Sequence, residues 1–95
     1  MSWVQIQHAK TATWDDFEKV GAAIGHEPPA GLIISAAGEV DGTWKAVNIW
    51  ESKEAYERFL QERLIPAVPE VRGEEVLAAG PPPTEWFEVK RTIGL

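Results

Sequence analysis

The stretch Gly42–Val68, GTWKAVNIWESKEAYERFLQERLIPAV, constrains the fold more than any other part of the chain. From Trp44 to Trp50 the residues alternate with period two. Trp44, Ala46, Asn48 and Trp50 share one face of a strand, and Lys45, Val47, Ile49 and Glu51 share the other. Only Glu51 and Ser52 separate this strand from a helical pattern whose stripe is Ala55, Tyr56, Phe59, Leu60 and Leu64. Ser52 is the expected N-cap, and Glu54–Arg58 has the favourable i,i+4 orientation. Pro66 is expected to break or kink the helix about three turns in, because proline removes a hydrogen bond and clashes with the preceding turn.

The flanking segments supply the partners for this unit. Trp3–His8 (WVQIQH) alternates as a strand, with Val4, Ile6 and His8 opposite Trp3, Gln5 and Gln7. Thr13 opens a helix as N-cap, with Asp16 three residues on in a variant capping box. Trp14, Phe17, Val20, Gly21 and Ile24 form its stripe, and Gly25 with Pro28-Pro29 ends it. Gly31–Gly38 is a short apolar run suited to a second strand, and Asp41-Gly42 is the corner of a hairpin into the third. Beyond Val68 the periodicity fades. Val76–Ala79 is open between a helical and an extended piece, and Pro81-Pro82-Pro83 is a stiff spacer. Thr84–Thr92 alternates as the last strand. The order β-α-β-β-α-β predicts a ferredoxin-like α+β domain over residues 1–95: a four-stranded antiparallel sheet with two helices on one face.

Two helices cover only one side of such a sheet. The aliphatic set Val4, Ile6, Val47, Ile49, Phe87 and Val89 is expected to face them. Trp3, Gln5, Gln7, Trp44, Asn48, Trp50, Trp86 and Glu88 are then left for the open face, with the parity of strand two, including Ser35, undecided. Exposed tryptophans on that scale predict a homodimer packed face to face. The tryptophans then either line a small-molecule cavity with a few polar groups or simply fill the interface.

Composition narrows the function classes. With no cysteine among 95 residues, a disulfide framework, a thiolate metal site and a thiol nucleophile are all unavailable. The net charge of −6 and the lack of any basic cluster beyond Lys90-Arg91 argue against nucleic acid. The longest apolar run, around Leu32–Ala37, is too short for a bilayer, and Met1–Lys10 has no charged leader followed by an apolar block. A cytoplasmic protein without a membrane partner is expected.

The run Val47-Asn48-Ile49-Trp50-Glu51-Ser52-Lys53-Glu54-Ala55-Tyr56 resembles the strand-to-helix junction of the dimeric α/β-barrel superfamily, which includes the antibiotic biosynthesis monooxygenase-like proteins and many small bacterial proteins. Pro29-Ala30-Gly31-Leu32-Ile33 and Glu62-Arg63-Leu64-Ile65-Pro66-Ala67 resemble a branch of the same group. The resemblance implies a homodimeric barrel. Characterised members include cofactor-free monooxygenases of polyphenolic polyketides and haem-degrading enzymes, which use an asparagine and a tryptophan inside the barrel. Asn48 and Trp50 match these by side-chain type and face. Many members carry a histidine on the second helix, five residues beyond the position of Glu54, where this chain has Phe59. Haem ligation from that helix is therefore not expected, and an oxygenase here would work without that imidazole.

The expected reading is a protein that binds an aromatic or otherwise hydrophobic small molecule between sheet and helices. If catalytic, it would be a cofactor-independent monooxygenase or cyclase-like enzyme. The alternative is a non-catalytic dimeric ligand-binding or accessory protein. Asn48, Trp50 and Glu88 are the candidate catalytic residues; Trp3, Gln5, Gln7, Ser35, Trp44, Trp86 and His26 are the candidate substrate-binding ones. Buried among tryptophans, Glu88 would be an acid or base with a raised pKa; otherwise it pairs with Lys90. His26 is either a gate or proton relay near the barrel mouth or a solvated loop residue, and His8 reads as structural or exposed. Two distant histidines make no metal motif, and no cofactor is expected.

Overall fold

The structure is a computed structural model and describes residues 2–73 and 82–94. Its elements are β1 (Trp3–Thr13), α1 (Trp14–Ile24), β2 (Leu32–Val40), β3 (Thr43–Trp50), α2 (Lys53–Phe59), a π-helical turn (Leu60–Leu64), α3 (Ile65–Arg72) and β4 (Thr84–Glu88). The sheet is antiparallel throughout with strand order β2-β3-β1-β4, the ferredoxin-like arrangement. The choice weighed for Val76–Ala79 lies outside the described residues, as does Pro81 of the proline spacer.

Local chemistry accounts for the joints. Thr13 and Asp16 form the full capping box, each side chain accepting from the other's backbone N–H at 3.1 Å. Asp41 and Gly42 both have positive φ, 51° and 83°, as a two-residue hairpin corner requires. The Ser52 hydroxyl accepts from the Ala55 N–H at 3.1 Å and starts α2. Gly31 is a second place where only glycine fits. Its φ is +85°, and a Cβ there would lie 2.5 Å from that of Ala55. The Gly31 carbonyl accepts from the Glu51 N–H at 2.8 Å, so the entry to β2 is held tight against the β3–α2 joint.

Three element boundaries differ from expectation. The helical arm does not stop at Pro66; it continues to Arg72, and the backbone widens into the π turn immediately before the proline. Wider bonding there accommodates a ring that cannot serve the regular ladder. β1 runs on to Thr13, with a register irregularity against β3 between His8 and Thr13. β4 ends at Glu88 instead of Thr92, because its partner β1 begins at Trp3; among the described residues the Val89 N–H continues the pairing, to the Ser2 carbonyl at 2.9 Å.

The larger correction concerns the two faces of the sheet. Cross-strand pairing groups Ser35, Asn48, Gln5 and Trp86 in one row and Leu32, Trp50, Trp3 and Glu88 in another, all on one face. This face meets the helices, as its ring contacts show. Trp50 packs on Tyr56 and Phe59, Trp86 on Tyr56, and Trp44 on Phe17 of α1. The aliphatic rows Ile34, Ile49, Val4, Phe87 and Ala36, Val47, Ile6, Glu85 lie on the opposite, open face. The expected assignment is therefore inverted, and tryptophans filling an intersheet interface are excluded for Trp44, Trp50 and Trp86. Large flat rings span the gap to a helix, and Gln5, fully buried, finds its partners on the same side. Ile34, Val47 and Phe87 are left 42%, 41% and 52% exposed, which leaves an apolar sheet surface uncovered.

Candidate functional site

The polar groups on the helix side of the sheet form one connected chain. The Ser35 hydroxyl donates to Asn48 Oδ1 at 2.6 Å, and Asn48 Nδ2 donates to Gln5 Oε1 at 3.0 Å. Trp50 Nε1 donates to the same Gln5 oxygen at 2.9 Å. The indole nitrogen is a donor only, so it fixes which end of the Gln5 amide faces it. The polarity then propagates outward, since Asn48 must present its nitrogen to Gln5 and its oxygen to Ser35. Cross-strand neighbours on β2, β3 and β1 make this geometry possible: Ser35 pairs with Asn48, and Asn48 with Gln5. Exposure falls along the chain. Ser35 is exposed, Asn48 half-buried and Gln5 0% exposed. Its outer end is open because β2 is exposed from Ile33 to Val40, the helices lying over the rest of the sheet.

An aromatic wall stands over the inner end. Tyr56 from α2 lies edge-on to Trp50 at 5.6 Å and to Trp86 at 5.4 Å between ring centroids. Gln7 Nε2 donates to the Tyr56 hydroxyl at 3.3 Å and to Thr84 Oγ1 at 3.4 Å. Burial raises the Tyr56 pKa above the ordinary 10.0, partly offset by the amides of Gln7 and Gln5 beside it. The phenol is therefore neutral at physiological pH and keeps its proton to donate.

The other expected site residues stand apart. Trp3 lies at the end of the sheet, where Lys53 Nζ sits 4.4 Å from its ring centroid and 5.5 Å from that of Trp86. Glu88, opposite Trp3, forms an ion pair with Lys90 beyond the end of β4, the pairing alternative of the sequence reading. Trp44 sits at the other end against Phe17, which also stacks on Trp14 at 5.1 Å. His26 is exposed and lines an open surface hollow with Ile24, Pro28, Glu62 and Arg63, at the C-terminal end of α1. His8 is exposed. Among the described residues no cluster of three or more histidine, aspartate or glutamate side chains could hold a metal.

No family model and no curated protein sequence matches the chain. Solved structures do. A candidate antibiotic biosynthesis monooxygenase from Deinococcus radiodurans superposes with a TM-score of 0.59 at 13% identity, over 100% of this chain and 98% of that one. SnoaB, a cofactor-independent oxygenase from Streptomyces nogalater, gives 0.52 at 15% identity over 97% and 94% of the two chains. An asparagine-to-alanine mutant of SnoaB gives 0.51 at the same identity and coverage. The fold is that of the antibiotic biosynthesis monooxygenase-like structures.

Within this monooxygenase-like fold, Gln5, Ser35, Asn48 and Trp50 converge, with Gln7 and Trp86 joined to them through Tyr56. Sequence reasoning treats Tyr56 as core filler on the α2 stripe. Its signal was available: it is the one tyrosine in the chain, on a stripe otherwise made of hydrocarbon side chains. A buried tyrosine brings a hydroxyl that needs a partner, and the strand facing it carries glutamines. Chemically, the arrangement is a set of fixed amide, hydroxyl and indole groups beside aromatic rings. It holds no nucleophile–base pair.

Proposed function

We propose that this chain binds a hydrophobic or aromatic small molecule between sheet and helices and acts on it as a cofactor-independent monooxygenase or cyclase-like enzyme. One observation carries the reading: a polarity-locked hydrogen-bond chain runs from exposed Ser35 through Asn48 to buried Gln5, with Trp50 and Tyr56 at its inner end. Such sparse, fixed polar groups beside aromatic walls are how small-molecule sites orient a ligand. The fold shared with SnoaB, a cofactor-independent oxygenase, supports the reaction class. Asn48 and Trp50 hold the substrate's polar edge, while Ser35, Gln7, Trp86 and Gln5 line its path. The active unit is a cytoplasmic homodimer of single-domain chains, joined through the open aliphatic face around Val47 and Phe87, where apolar area of this kind is otherwise left in water. None of the described helices is long and apolar enough to cross a membrane.

Quenching of tryptophan fluorescence by a panel of polycyclic phenols tests binding, and oxygen uptake without added cofactor tests turnover. Asn48→Ala and Trp50→Phe should each reduce uptake at least about tenfold, the scale of losing one orienting hydrogen bond at a reacting centre. Quenching without uptake across the panel would leave a ligand-binding or accessory role in place of the enzyme.

A further inference from the structure

We propose that Lys53 is a positioning residue for the aromatic wall: its ammonium, clasped by the Trp3 and Trp86 rings, ties the edge strand β4 to the β3–α2 joint and sets the Trp86 indole against Tyr56. Nζ lies 4.4 Å from the Trp3 ring centroid and 5.5 Å from that of Trp86. Both distances fall within the roughly 6 Å over which a ring face attracts a cation. The use of Trp86 as a site wall rests on the small-molecule reading above; the tie itself acts in the ligand-free chain.

Local electrostatics does not explain where this ammonium goes. Lys53 is the first residue of α2, and a positive charge in the first turn opposes the helix dipole. Glu57 stands at i+4, and the chain forms such a pair at Asp15–Lys19. Yet among the described residues Lys53 makes no ion pair. Glu88, the carboxylate opposite Trp3, is taken by Lys90. The ammonium turns to two indoles that the sheet sets side by side, since Trp3 pairs with Glu88 and Gln5 with Trp86 across the β1–β4 ladder. What the clasp joins differs in rigidity. Lys53 grows from a joint held by the Ser52 hydroxyl on the Ala55 N–H, by the Glu51 N–H on the Gly31 carbonyl at 2.8 Å, and by the close approach of Gly31 to Ala55. β4 is a five-residue edge strand whose ladder partner is β1. Its Trp86 meets α2 edge-on at Tyr56, with centroids 5.4 Å apart. One edge-on contact fixes the distance of an indole better than its tilt, and a cation over the same ring supplies the second point of attachment.

Nuclear magnetic resonance of the labelled, ligand-free protein tests the clasp. Ring currents should place the Lys53 ε-methylene protons upfield of those of the other lysines. Lys53→Met keeps the hydrocarbon stem and removes the charge. In that variant the Trp3 and Trp86 indole N–H resonances should move, while those of Trp14 and Trp44, at the other end of the sheet, stay in place. The folding equilibrium constant should fall about threefold, the scale of an exposed cation–π contact. Lys53→Arg, which keeps the cation, should restore both the indole resonances and the equilibrium constant. Lys53 protons at the ordinary lysine position would overturn the proposal without any variant. So would a Trp86 resonance unmoved in Lys53→Met, or an arginine variant no closer to the native protein than the methionine one, which would leave the stem's packing as the whole contact. No small molecule enters these readouts, so a failed clasp leaves the ligand-binding reading standing, and a failed search for ligands leaves the clasp standing.

Discussion

The two faces of the sheet use apolar surface in opposite ways. On the helix side, large rings enclose a small set of amides, and Gln5, Gln7 and Trp50 are 0%, 8% and 2% exposed. On the open side, mainly aliphatic rows, with Glu85 at one edge, leave Ile34, Val47 and Phe87 substantially in water. The face with more hydrogen-bonding groups is the more deeply buried one. Burial in this chain thus follows the reach of the rings and the satisfaction of the amides more closely than it follows simple hydropathy. The helix face has one defined arrangement, because its hydrogen bonds have fixed polarity; the open face is mostly hydrocarbon.

The sharpest way to break this contrast is Gln5→Leu. It strands the Trp50 and Asn48 donors together in the core, and about 3 kcal/mol of folding stability should be lost in urea titrations, the sum of roughly two unpaired donors. A loss below about 1 kcal/mol would mean the helix face is as permissive as the open one. Gly31→Ala should cost about 2 kcal/mol by the same assay, because the new Cβ meets Ala55 and the backbone sits at positive φ. That change probes the joint bringing α2 over the amides. Phe87→Asp, on the open face, should alter monomer stability by no more than about 0.5 kcal/mol, as for an ordinary exposed position. Its effect should appear in light scattering instead, as conversion of the proposed dimer to single chains.

The smallest effect is confined to alkali. Tyr56 has a folded-state pKa raised by burial, so folded and unfolded chains bind the phenolic proton equally below pH 10. Above it the unfolded chain ionises first, and stability falls as pH rises. Tyr56→Phe should flatten that limb while leaving neutral-pH behaviour nearly unchanged. As the chain has one tyrosine, phenolate absorbance of the native protein reports this group alone.

Much of the fold was legible because it depends on local rules. Thr13 with Asp16, Asp41-Gly42 and Ser52 each do in the structure what their side chains and φ preferences dictate. The sign of the face was not legible. Alternation establishes that Val47 and Asn48 point opposite ways, and nothing local says which of them meets a helix. That choice is made by long-range partners, above all Tyr56, Phe59 and Phe17, whose rings complement tryptophans and not valines. Gln5, Ser35, Asn48 and Trp50 could be grouped from the sequence because they share a parity, which survives inversion of the faces. Glu88 shares that parity too but stands outside the amide chain, because its place at the end of the short β4 puts Lys90 within reach.

The π turn at Leu60–Leu64 has a consequence for the geometry of the whole helical layer. A regular helix turns about 100° per residue, and i→i+5 bonding fits an additional residue into the turn, so everything beyond it is out of phase with what came before. The second helical arm therefore presents two different azimuths along one rod. α2 directs Tyr56 and Phe59 at the sheet, while α3 lies along α1, with Arg72 near Asp16 and Arg63 holding the Ile24 carbonyl at 3.2 Å. Arg63 also lies over Phe59, 5.8 Å from its centroid, and Phe59 touches Trp50. The phase slip thus acts as a gear between the position of α1 and the wall of the site: a sequence change that restored a continuous α-helical phase would turn one helix face away from its partner without altering a single residue in the amide chain.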